Sequence, residues 1–193
     1  MNKTQIERLQ DLNLEYMEDA HFNHMRKPGI RFVPGTGPVN PRIMIIGEAP
    51  GRLENARQIP FLGRAGINLA NILDDVNIDM HDIYLTNSVK YLPTETSGKP
   101  RTPTIEEMKS SRPYLLREIE IVNPGIVALA GRIPLLTIVP ELAKKFHEWH
   151  GKLYNNRYVP LYHPAVVTHN PSKKGEVRSG YASLRRHAYG EMP

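Results

Sequence analysis

At 193 residues and 40% hydrophobic content, the chain is long enough to bury a core of its own and ordinary for a globular protein. It has no cysteine, which excludes disulfides and thiolate metal sites, and no apolar run approaches the ~18 residues of a membrane span. Lys+Arg 25 against Asp+Glu 20 leaves +5, an excess that suits a polyanionic partner without demanding one. The polar start MNKTQIERLQ lacks the apolar centre of a signal peptide, so a cytoplasmic protein, or one made inside a host cell, is expected.

Residues 4–20 place Ile6, Leu9, Leu12, Leu14 and Met17 among charges, the pattern of an amphipathic helix. Residues 25–40 are basic and rich in Pro and Gly. They read as a loop, in which 30–33 can be read as a short strand. The apolar run Ile43-Met44-Ile45-Ile46, stopped by Gly47, is a buried strand of a parallel sheet. Gly47-Glu48-Ala49-Pro50-Gly51 then forbids a continuing strand or a helix interior. After Pro60-Phe61-Leu62-Gly63-Arg64-Ala65-Gly66, a helix is expected over 67–76.

Residues 83–86 form a second strand that delivers Asn87. Residues 91–104 hold three prolines and a glycine and read as a long loop, which Thr104 ends by capping a helix to about Ile121. A third buried strand covers 126–130, and 133–146 looks like an interrupted helical segment. Residues 152–154 and 158–161 suit a hairpin about Asn155-Asn156, and the latter leads to Tyr162-His163-Pro164. A helix over 181–189 closes the chain. Neither repeat nor linker interrupts it, so residues 1–193 read as one domain. Helices alternating with short strands predict a three-layer α/β/α sandwich on a central, mostly parallel four-stranded sheet.

Ligands of open α/β sheets bind beyond the carboxyl ends of the strands. Three such ends here supply a carboxylate (Glu48), an amide (Asn87) and an imidazole (His163), and a loop adds the Phe61 ring. Each alone reads equally as structure: a solvated Glu in a turn, an Asn capping a strand, a Phe in the core, a His bonded to backbone. Together they can stack a planar base, read its edge and stabilise a leaving anion. An amide both donates and accepts, so Asn87 can bond O4 and N3–H of uracil, where cytosine shows the opposite pattern.

The motifs GEAPG, PFLGRAG, LTNSVK, PYL and YHPA, in this order and at these spacings, resemble the family 4 uracil-DNA glycosylases from about Ala20 to about Arg186. The resemblance implies hydrolysis of the uracil–deoxyribose bond in DNA, leaving an abasic site, on a base taken out of the stack. It implies catalytic roles for His163, as the donor to pyrimidine O2, and for Glu48. Glu48 either orients water or balances the sugar charge, or only braces its loop through backbone bonds. Phe61 stacks the base, Asn87 reads it, and Gly47, Ala49, Pro50 and Gly51 approach it closely. DNA contacts are expected from Pro164 and from Lys173, Lys174 and Arg178 on the loop over 165–178, with Arg64 and Lys90 as further phosphate contacts.

The resembled family holds a [4Fe–4S] cluster on four cysteines, whose positions fall here on Ala20, Asn23, Tyr91 and Ser111. Their joint loss implies that packing has replaced a structural cluster, so no metal or cofactor is expected. A second departure precedes Phe61. The family often has an acidic residue and then Gln-Gly there, and this chain has Asn55, Arg57 and Gln58. Two alternatives therefore stay open: a glycosylase for another damaged or modified pyrimidine, and a non-catalytic DNA-binding member of the fold. A monomer is expected.

Overall fold

Gly47 ends a strand inside an all-parallel sheet of four in the computed structural model, which describes residues 3–190. The strands are β1 (Ile43–Gly47), β2 (Ile83–Asn87), β3 (Ile126–Ala130) and β4 (Tyr158–Leu161), in the order β2-β1-β3-β4. Their alternation decides which layer each residue joins. Ile43 and Ile45 face one side with Leu69, Leu73, Tyr181 and Leu184. Met44 and Ile46 face the other with Leu115, Ile119, Leu129 and Leu135. Both faces of β1 are thus dry, which is why it reads as an unbroken apolar run.

The helices covering these faces are α1 (Gln5–Glu18), α2 (Arg52–Arg57), α3 (Arg64–Asp75), α4 (Ile105–Val122), α5 (Arg132–Ile138), α6 (Phe146–Trp149), α7 (Val166–His169) and α8 (Lys174–Tyr189). α1 and α4 each start on a capping box, Thr4 with Glu7 and Thr104 with Glu107. Glu107 does more than cap. It accepts both Arg101 guanidinium nitrogens, at 2.8 and 2.6 Å, and lies 2.9 Å from His24 Nε2. Burial opposes its ionisation, yet these bonds and the Thr104 N–H hold its carboxyl down at about 2. The long 91–104 loop is thereby tied to the first turn of α4.

Several local expectations are corrected. No strand forms over 30–33; Phe32 and Val33 are buried instead, with Val33 N–H donating to Lys90 O at 2.8 Å. Asn155 and Asn156 both adopt left-handed φ (49° and 52°), and their turn leaves one antiparallel bridge, Tyr154 to Tyr158, rather than a hairpin. α2 was not expected. The segment after His163 is a succession of short helical turns, α7 and a 3-10 turn over Pro171–Lys173, and α8 begins at Lys174 rather than near Tyr181. Gly180 is needed there, because a Cβ on it would lie 2.2 Å from His150 Cε1.

An aromatic cluster fills the space between α1, the 3-10 turn Ala20–Phe22 and the start of the 91–104 loop. Tyr16 stacks on Phe22 (centroids 4.0 Å, planes 4° apart) and meets Phe32, Tyr91 and Tyr114 at 5.0 to 6.0 Å. The Tyr16 hydroxyl lies 2.6 Å from Ser111 Oγ and accepts Lys90 N–H at 3.2 Å. Of the four positions that hold cysteine in the resembled family, Tyr91 and Ser111 belong to this packed cluster, while Ala20 and Asn23 are exposed. Ring carbons and a hydroxyl offer no thiolate. These residues do not fit an iron–sulfur cluster.

Candidate active site

The register of β1 and β2 pairs Gly47 with Asn87 at the carboxyl end of the sheet. A Cβ on Gly47 would fall 2.5 Å from Asn87 Oδ1 and 2.7 Å from Phe61 Cζ, so only glycine lets amide and ring converge there. Phe61 sits at φ 55°, a left-handed conformation uncommon for an aromatic residue and characteristic of functional sites. Its carbonyl is seated over α3 where a Cβ on Gly66 would come within 1.6 Å of it. The glycines of PFLGRAG are therefore steric permissions for the Phe61 turn, and they start α3 at Arg64, three residues earlier than its apolar spacing predicts.

Glu54 helps build the site and carries no signal that the sequence reading picked out. It is buried in α2 and accepts Gly63 N–H at 2.8 Å, and its other oxygen would lie 2.6 Å from a Cβ on Gly51. One carboxylate thus joins the turn after β1 to the turn after Phe61. Its signal was available as a lone acid between two glycine-flanked turns.

His163 follows β4 and faces Phe61, with centroids 6.3 Å apart and planes at 25°. Ala165 N–H donates to His163 Nδ1 at 3.3 Å, which assigns the ring proton to Nε2. Burial pushes the imidazole down to about 4, against the opposing pull of Glu54, so it is neutral at pH 7. Nε2–H has no side-chain or backbone acceptor among the described residues, and neither does the Asn87 amide, although Asn87 is only 5% exposed. A donor and an amide with no protein partner thus face a glycine floor and an aromatic wall.

Glu48 is half-buried beside them. Burial raises its carboxyl above the ordinary range, and Thr102, brought over by the 91–104 loop, opposes that rise. Ala49 packs towards the aromatic cluster, Pro50 is buried, and Gly51 caps α2. The departures before Phe61 turn away from the site. Asn55 donates to Gly29 O and accepts Arg31 N–H, both at 2.8 Å, and Gln58 donates to Phe32 O at 3.1 Å. Gln58 stands at φ 57°, which explains a glycine at that position in the resembled family. Arg57 is exposed.

Two expected DNA contacts are corrected. Lys90 is 3% exposed, and its ammonium is 2.6 Å from Glu118 Oε2 and hydrogen-bonded to Thr86, inside the protein. A cation buried and paired in this way cannot reach a phosphate. Pro164 is also buried, and its carbonyl accepts Asn68 Nδ2 at 3.1 Å. Arg64 and Lys174 are exposed. Lys173 is paired with Glu176 and lies over the Tyr162 ring, and Arg178 donates to Asp75 O at 2.9 Å. No helix among the described residues is long and apolar enough to cross a membrane, and no group of three or more His, Cys, Asp or Glu among them could hold a metal.

Residues 34–184 match the family model of the uracil DNA glycosylase superfamily. The chain is 29% identical to a type-4 uracil-DNA glycosylase of Archaeoglobus fulgidus, covering 93% of this chain and 92% of that protein. It is 34% identical to the type-4 enzyme of Pyrobaculum aerophilum (78% and 80% covered) and 32% to that of Thermotoga maritima (78% of each). With its floor, wall, amide and imidazole set at the ends of β1, β2 and β4, the chain belongs to the uracil DNA glycosylase superfamily and is similar to its type-4 members.

Proposed function

We propose that the protein is a monofunctional uracil-DNA glycosylase, hydrolysing the N-glycosidic bond of uracil in DNA and leaving an abasic site for base-excision repair. The carrying observation is a neutral His163 whose Nε2–H meets no protein acceptor among the described residues and whose ring faces Phe61, the ring that converges on Gly47 with the unpartnered Asn87 amide. The type-4 names of the similar proteins support the same reading.

In the mechanism, an extruded uracil lies against Phe61 over Gly47, with the Ala49, Pro50 and Gly51 backbone beside it. Asn87 pairs with O4 and N3–H. As the bond to C1′ breaks, negative charge grows on the base and positive charge on the sugar. Nε2–H of His163 donates to O2, where the charge collects, as an oxyanion hole does. A neutral donor here needs no proton removed from solvent. Glu48, half-buried with a raised carboxyl, orients the attacking water or balances the sugar charge when ionised. Glu54 keeps the two pocket turns together. No resident cofactor or metal takes part. Arg64, Lys173, Lys174 and Arg178 contact phosphates, Lys173 exchanging Glu176 for DNA. The enzyme acts as a monomer and a single domain in the cytoplasm.

Asn55 and Gln58 brace the loop over 29–32 and do not line the pocket, which favours uracil over a different pyrimidine as the substrate. The test is excision from oligonucleotides carrying uracil, thymine, hypoxanthine or oxidised pyrimidines, in single- and double-stranded form. Uracil released with an alkali-labile abasic site is the expected result. Release of another base in preference to uracil, or of none, rejects the assignment.

A further inference from the structure

Between residues 52 and 67 the chain presents solvent with a surface of one composition. α2 turns Glu54 and Asn55 inward and leaves Leu53 and Arg57 outside, four residues apart on one face. The next turn exposes Ile59 and Leu62 on either side of Pro60-Phe61, and α3 exposes Arg64 and Ile67, three apart on one face. Exposure is 46% at Leu53 and Ile59, 37% at Leu62 and 61% at Ile67. Glu54 is the only acid of this stretch, and it is buried on Gly63 N–H. Aliphatic groups interleaved with arginines, free of exposed carboxylate, complement a polymer that alternates anions with apolar faces. Single-stranded nucleic acid is such a polymer. A duplex offers this surface phosphates and sugars but keeps its base faces stacked inside.

We propose that Leu53, Arg57, Ile59, Leu62, Arg64 and Ile67 form a track for single-stranded DNA at the lip of the base pocket. The arginines hold phosphates, and the aliphatic side chains cover unstacked faces of the nucleotides flanking the extruded one. The track rests on the reading of Phe61 as the wall of the uracil pocket. Ile59 and Leu62 straddle that wall, so a strand feeding a nucleotide to it crosses them. It follows that unpaired DNA is the preferred substrate.

The test is binding of an undamaged single strand and of its undamaged duplex, followed by fluorescence anisotropy across a salt series. Leu62→Ser/Ile67→Ser and Arg57→Ala/Arg64→Ala are compared with wild type, with excision of uracil measured separately. The serine pair is expected to weaken single-strand binding by about tenfold, since two aliphatic side chains lose the apolar surface they cover, and to change duplex binding less than about twofold. The arginine pair is expected to weaken both and to flatten the single-strand salt slope by about 1.4, at ~0.7 per contact. Wild-type single-strand affinity in the serine pair, or an equal loss on duplex, overturns the track. Wild-type affinity in every variant overturns it too, and leaves the strip as a protein-docking surface. Single substitutions at Leu62 and Ile67 repeat the comparison should the double variant melt early. Because the DNA is undamaged, the outcomes separate. If wild type binds and excises nothing, the enzymatic reading fails and the track is judged on its own. If wild type excises uracil and the variants bind normally, only the track fails.

Discussion

The aromatic cluster around Tyr16 and the pocket around Gly47 adjoin the same exit of β2, and they treat polar groups in opposite ways. In the cluster, rings pack against rings and the buried polar atoms are partnered: Tyr16 with Ser111 and Lys90 N–H, and Lys90 itself with Glu118. In the pocket, the Asn87 amide and His163 Nε2–H meet no protein group among the described residues. Only three residues separate Asn87 from Tyr91, and Ser88 N–H, donating to Gly47 O at 2.9 Å, fixes the chain between them. Stability and chemistry are thus separated along a few residues of backbone. A structural cluster can give way to aromatic packing on one side of that segment while the unsatisfied groups on the other keep their places.

The most forceful way to break this separation is Tyr91→Ala. Removing a buried ring from the cluster is expected to cost ~3–5 kcal/mol of unfolding free energy in a denaturant titration. The single-turnover excision rate per folded molecule should stay within about twofold. A parallel loss of rate would mean that the cluster shapes the pocket. A chelator should leave the wild-type unfolding transition unmoved, and a shift on chelation would restore a metal to the account.

His163→Ala acts from the other side. Loss of one anion-stabilising donor typically costs ~100- to 1000-fold in rate, here with DNA affinity within a few-fold. Its pH signature has a definite sign. The folded imidazole is depressed to about 4 from an ordinary 6.5, so the unfolded chain binds the extra proton first as pH falls. Stability from this group is complete above pH 6.5 and declines as pH falls towards 4. His163→Ala should remove that part of the slope. An unchanged slope would place the imidazole in solvent.

Much of the pocket could be read from the sequence, because its parts are local. An apolar run stopped by glycine fixes β1, and Gly47, Gly63 and Gly66 mark close approaches that no side chain allows. What could not be read depends on distant partners. Lys90 looks like a free cation until Glu118, 28 residues on, takes it inside. α2 has six residues and no capping side chain; Glu54 holds it through Gly63. Pro171, Gly175 and a run of charges gave residues 165–178 the look of a loop, whereas packing of Val177, Tyr181 and Leu184 on the sheet extends α8 back to Lys174.

Asn87 tests the pocket more finely. Asn87→Ala removes a partner from a nearly buried uracil edge, and losses of that kind cost ~1–3 kcal/mol, or roughly 5- to 150-fold in excision. Asn87→Asp should also weaken excision, since a carboxylate repels O4, and it should narrow the preference for uracil over cytosine. Stability in both variants should stay near wild type, because the amide has no internal partner to lose. Unchanged uracil cleavage would remove Asn87 from base reading.

The smallest effects come from single atoms in the cluster, and they resolve how its polar core is shared. Ser111→Ala takes one partner from the Tyr16 hydroxyl, which keeps Lys90 N–H at 3.2 Å, so about 1 kcal/mol is expected. Tyr16→Phe removes the same contact and in addition leaves the buried Lys90 N–H without its acceptor, a cost of ~1–3 kcal/mol. Tyr16→Phe should therefore be the more destabilising of the two. The double variant should cost little beyond Tyr16→Phe, because the Ser111 contact is already gone in it. Urea unfolding of the four proteins measures the cycle. Additive losses would show that Ser111 and Tyr16 do not share a bond. Excision should be unchanged in all four, since none of these atoms reaches Asn87. A fall in rate that tracks the fall in stability would show that the two sides of the β2 exit are coupled after all, with Ala49, packed between cluster and pocket, as the contact through which that coupling passes.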